Sequence, residues 1–64
     1  MKVGSIYKYQ STIKPHFDYV FVYDIEIIHK STYVSSYAKC INIQDCSDFR
    51  NIANNYWHSW IEVE

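Results

Sequence analysis

Sixty-four residues, 48% of them hydrophobic and 19% aromatic, make one domain (1–64) near the lower size limit for a self-sufficient core. One Gly and one Pro exclude a linker or low-complexity chain, and a net charge of −1 with the basic residues spread singly excludes the clustered footprint of unselective nucleic-acid binding. No basic region followed by an apolar segment opens the chain, and no apolar run nears the about 20 residues of a membrane span. The expectation is a soluble cytoplasmic protein with no membrane partner.

In chain order, Val3 to Tyr9 reads as a first strand, with Gly4 as a bulge or close-approach point. Val3, Ser5, Tyr7 and Tyr9 share one face, Ile6 and Lys8 the other. Ser11 to Phe17 reads as a loop, because Pro15 lacks a ladder N–H and biases Lys14 away from helix. Asp18–Ile28 and Tyr33–Ile43 follow as two long strands rich in β-branched and aromatic residues, joined by the polar His29–Thr32 into a hairpin.

With Ile28 and Tyr33 as the last pair, Tyr19, Phe21, Tyr23, Ile25 and Ile27 face Asn42, Cys40, Ala38, Ser36 and Val34 on the core side. The opposite face then pairs Val20 with Ile41, Val22 with Lys39, Asp24 with Tyr37 and Glu26 with Ser35. Apolar ends around an acidic middle suggest a hairpin that bends between two layers.

Asp45, Ser47 and Asp48 are able to cap a helix. Phe49, Ile52, Ala53, Tyr56, Trp57 and Trp60 then follow helical spacing, which predicts a short helix near residues 47–56. His58 to Glu64 alternates and reads as a last strand, with Ser59, Ile61 and Val63 on one face and Trp60 and Glu62 on the other. The predicted fold is mainly β with one short helix, β-β-β-α-β: a small SH3-like barrel, or a strongly bent antiparallel sheet covered by a helix. Tyr19, Phe21, Tyr23, Phe49 and Tyr56 or Trp57 are its simplest core.

That element order, the opening Lys2-Val3-Gly4-Ser5-Ile6-Tyr7 stretch and the aromatic-rich turn before a short last strand resemble the SH3-like β-barrel proteins encoded by phages and mobile elements. The chain departs from SH3 domains proper in lacking an ALYDY-like motif, an acidic n-Src-like loop and a paired-proline groove. The resemblance implies a binding module without enzymatic activity, and a phage-type inhibitor of a host factor as its role.

The residues point the same way. Cys40 and Cys46 have five residues between them, outside the spacing of zinc knuckles, and read as two reduced thiols. Cys40 falls on the core face. Gly4 is the only glycine, so no phosphate-binding loop exists. No cofactor or metal is expected.

Tyr33 and Tyr37, beside Asp24 and Glu26 on the outer hairpin face, together with Trp60, form the candidate partner-binding set, because Tyr and Trp give large rigid contact area with a polar handle. The expected partner is a protein with a basic and apolar surface. Two alternatives use the same aromatics: a single-stranded nucleic-acid binder that stacks bases, and an aromatic cage for methyl-lysine.

Overall fold

The computed structural model describes residues 1–10 and 19–63. The predicted Ser11–Phe17 loop, Asp18 and Glu64 lie outside the described residues. Strands β1 (Ile6–Tyr9), β2 (Tyr19–His29), β3 (Val34–Asn42) and β4 (Asp45–Ala53) form a meander. A 3-10 helix (Asn54–Ser59) then leads to β5 (Trp60–Val63), which returns to pair with β1. The result is an open antiparallel sheet in the order β4-β3-β2-β1-β5. No described helix is long and apolar enough to cross a membrane.

The first strand begins later than its composition predicts. Val3 and Gly4 form a turn in which the Ser5 N–H reaches the Lys2 carbonyl at 3.3 Å, and Gly4 sits at φ +89°. That positive φ is what a type II turn requires at this position. The same turn lets the Gly4 N–H donate to the Val22 carbonyl at 2.8 Å, while the Val22 N–H donates to Ser5 at 3.0 Å. Gly4 is thus required by its positive φ and not by a close approach, because a Cβ there would meet nothing within 4 Å.

The hairpin is present, but its predicted register is wrong. Val20, Phe21 and Val22 pair with Asn42, Ile41 and Cys40, one residue away from the expected alignment. A β-bulge then inserts Tyr23, so that Asp24, Ile25 and Glu26 face Lys39, Ala38 and Tyr37. A bulge flips which parity faces inward. Val20 and Val22 are consequently fully buried, whereas Phe21 is half-buried and Tyr23 exposed. On β3 the predicted core face holds: Ala38, Cys40 and Asn42 are buried.

The predicted helix at 47–56 is replaced by β4, with the 3-10 helix displaced to Asn54–Ser59. Asp45 caps no helix. Its Oδ1 accepts the Ser47 N–H at 3.1 Å and the Ser47 hydroxyl at 2.6 Å, which shapes the turn into the strand. Pairing β4 satisfies the backbone groups that β3 would otherwise expose along its outer edge.

The core is small: Tyr7, Val20, Val22, Ala38, Cys40 and Ile52, with Met1, Ile25, Trp57 and Trp60 packed against it. Of the aromatic core expected from the sequence, Phe49 is 64% exposed and Tyr56 61%, and only Trp57 of that C-terminal group packs inward. Cys40 is a buried free thiol, as its place on the core face of β3 predicts, and Cys46 is an exposed one on β4.

Candidate functional site

Side chains alternate across each strand, so the pairing register defines a second face opposite the core. One row of cross-strand partners on it runs Val63, Ile6, Phe21, Ile41, Phe49, touching all five strands. At the usual strand spacing that row spans about 19 Å. Its β4 end is an aromatic pair: the rings of Tyr23 and Phe49 lie 6.3 Å apart and nearly perpendicular. This edge-to-face geometry is favourable, yet it leaves Tyr23 44% and Phe49 64% exposed.

Beside this row lies the polar part of the face. Glu26 is the direct cross-strand partner of Tyr37, and Asp24 that of Lys39. The Lys39 ammonium sits 3.5 Å from the Glu26 carboxylate. Asp24 accepts a hydrogen bond from the Ile25 N–H at 2.9 Å, and no cation pairs with it among the described residues.

Of the predicted site residues, Asp24, Glu26 and Tyr37 thus come together, with Tyr37 half-buried. Tyr33 is 57% exposed but lies in the hairpin loop, where its carbonyl accepts the Lys30 N–H at 2.8 Å. Trp60 belongs to the opposite face. It pairs with Tyr9, with ring centroids 5.1 Å apart, and packs against the core. Sequence reasoning missed Phe49 and Tyr23 as surface groups. In a strand Phe49 and Ile52, three positions apart, point to opposite faces, but the order Asp48-Phe49-Arg50-Asn51-Ile52 does not alternate in polarity and carries no signal of it.

Two ion pairs anchor the opposite side. Asp48 accepts both the Arg50 guanidinium, at 2.9 Å, and the Asn42 amide, at 3.2 Å, and these bonds hold its carboxyl below the usual carboxylate range. Lys2, at 3.1 Å, and Ser5 do the same for Glu62, whose charge in turn raises the Lys2 ammonium. Because both carboxyls are depressed in the folded chain, their contribution is complete at neutral pH. It is lost as pH falls below about 4, through their folded values. Urea midpoints measured down the acid range should fall more steeply for the native chain than for the Asp48→Asn/Glu62→Gln variant. Equal slopes would remove these pairs from the account of stability.

Cys40 offers no nucleophile. Burial pushes its thiol up to about 11, only partly opposed by Arg50, and its S–H points at the Ala38 carbonyl 3.4 Å away. Among the described residues no three His, Cys, Asp or Glu side chains converge on a common point, and no pocket opens. Comparison with protein-family models, curated proteins and solved structures finds no match to the chain.

Proposed function

We propose that the chain is a non-enzymatic protein-binding module on an SH3-like plan, and that it docks through the outer face of its sheet. The plan is supported by the four-strand meander, the short 3-10 helix before a short last strand, and that strand's return to β1. The observation that carries the binding reading is the five-strand apolar row ending in the exposed Tyr23–Phe49 pair. Contiguous apolar surface of this kind marks interaction sites, and aromatic side chains dominate their energetics. Asp24 and Glu26 border the row, so the complementary partner is a protein presenting an apolar spot flanked by Lys or Arg.

The test is retention from a cell lysate on immobilised native chain, followed by affinity measurement on the retained protein. Tyr23→Ala should weaken binding by about 2 kcal/mol, roughly thirtyfold, with the fold intact. Asp24→Lys should slow association with a basic partner, whereas it would strengthen binding to a nucleic acid. Unchanged affinity in both folded variants would reject this face.

A further inference from the structure

We propose that the outer edge of β4 pairs with the same edge of a second copy of this chain, antiparallel, about a two-fold axis at Phe49. This goes beyond the partner-binding reading and does not depend on it. The strand order leaves two sheet edges, β5 with four residues and β4 with nine. Of these nine, residues 49–53 pair without interruption with β3, while those before Phe49 hold an irregularity in which Asp45 Oδ1 accepts the Ser47 N–H at 3.1 Å. Backbone groups alternate in direction along an antiparallel strand, so the bonds made by Val22 fix which groups of β4 face outward. Val22 bonds to Gly4 and Ser5, on its β1 side, so the groups of Phe21 turn toward β3. Those of Ile41 then face β2, and those of Cys40 and Ala38 face β4. Their partners Arg50 and Ile52 therefore point into the sheet, and the N–H and C=O groups of Phe49, Asn51 and Ala53 point off it.

Such an edge is a template for another strand, and proteins usually blunt it with Lys or Pro. The β4 sequence, DCSDFRNIA, contains neither. Its charges instead favour one register. The segment Asp48-Phe49-Arg50 is self-complementary under antiparallel pairing. An axis at Phe49 sets each Asp48 opposite the Arg50 of the other copy and joins the two intrachain Asp48–Arg50 pairs into a four-charge network. Keeping the faces matched allows slides of only two residues in the sum of paired positions. The first slide one way opposes Arg50 to Arg50, and the other way Asp48 to Asp48. Larger slides separate the charges. The chosen register also gives the exposed Phe49 ring the ring of its twin, and the apolar row continues unbroken through both sheets.

Sedimentation equilibrium of the full chain tests this. The native chain should sediment at twice its 7.7 kDa. Asp48→Lys makes positions 48 and 50 both positive, and Arg50→Glu makes both negative. Each variant loses its intrachain pair and should repel its own copy, sedimenting as a monomer, while an equimolar mixture should recover the doubled mass. A structural role for the intrachain pair does not predict recovery on mixing. Far-UV circular dichroism checks that both variants fold. Asn51→Pro supplies an independent arm: it removes an outward N–H, leaves the bonds to β3 in place and should give a folded monomer. A native monomer, charge variants that stay apart on mixing, or a dimeric Asn51→Pro would overturn the proposal.

Discussion

Val20→Asp is expected to unfold the protein, whereas Tyr23→Asp, three positions along the same strand, leaves it folded. Val20 has no exposed surface and lies between Tyr7 on β1 and Asn42 on β3. A carboxylate there either stays charged at several kcal/mol or takes up a proton, and in both cases forfeits the roughly 2 kcal/mol from burying valine. The total stability of a domain this size is about 3–10 kcal/mol, so the substitution removes most or all of it. Tyr23 is the bulged residue and faces solvent, so Tyr23→Asp loses only the edge contact with Phe49, about 1 kcal/mol. Circular dichroism and a urea titration of both variants decide the matter. A folded Val20→Asp with an unfolded Tyr23→Asp would restore the unbulged register in which Tyr23 is core.

That pair of variants also shows why the sequence predicts the hairpin but not its register. On β3 only one parity, Ala38-Cys40-Asn42, is small enough to lie against a facing layer, and that parity is buried. On β2 both parities are apolar, Tyr19-Phe21-Tyr23 and Val20-Val22, so alternation alone does not choose between them. Assigning the larger side chains to the core overlooks how little volume an open five-stranded sheet of this length encloses. Valines fill it and the rings go outside. The bulge at Tyr23 leaves no mark in composition, because Gly is not needed there and no described non-Gly residue has positive φ.

The β4 segment fails for a different reason. Phe49, Ile52, Ala53 and Tyr56 fit a helical stripe, and as a strand the segment does not alternate in polarity, because Arg50-Asn51 and Ile52-Ala53 are like neighbours. Local pattern therefore points to a helix, and the unsatisfied edge of β3 overrides it. The candidate face was affected accordingly. Asp24, Glu26 and Tyr37 are legible because they lie on a long, unambiguous hairpin. Phe49 is invisible as a surface group while its segment is read as a helix packing inward. Alternation sets Trp60 on the face of β5 opposite Ile61 and Val63, and that face turns toward the core.

Trp57→Ala is expected to cost about 3 kcal/mol, a large share of the domain's stability, while Tyr56→Ala next to it costs little. The 3-10 helix that carries both has no side-chain cap, no fully buried residue and two Asn in its first turn. Its own hydrogen bonding therefore gives it little reason to persist. What fixes it is Trp57: the ring packs against the core cluster, and the indole N–H donates to the Ile52 carbonyl at 2.8 Å, tying the helix back to the end of β4. Tyr56 is mostly in solvent and has no comparable contact to lose. Trp57→Phe separates the two contributions, because it keeps most of the packing and forfeits the bond, at about 1 kcal/mol. Because β5 follows directly and is held along β1 over only four residue pairs, the loss should be felt there too. Hydrogen exchange of Ile61 and Val63, whose N–H groups face β1, should quicken in Trp57→Ala before that of Val22 or Cys40. Should Tyr56→Ala prove as costly as Trp57→Ala, the helix would have to be turned so that the other ring meets the core.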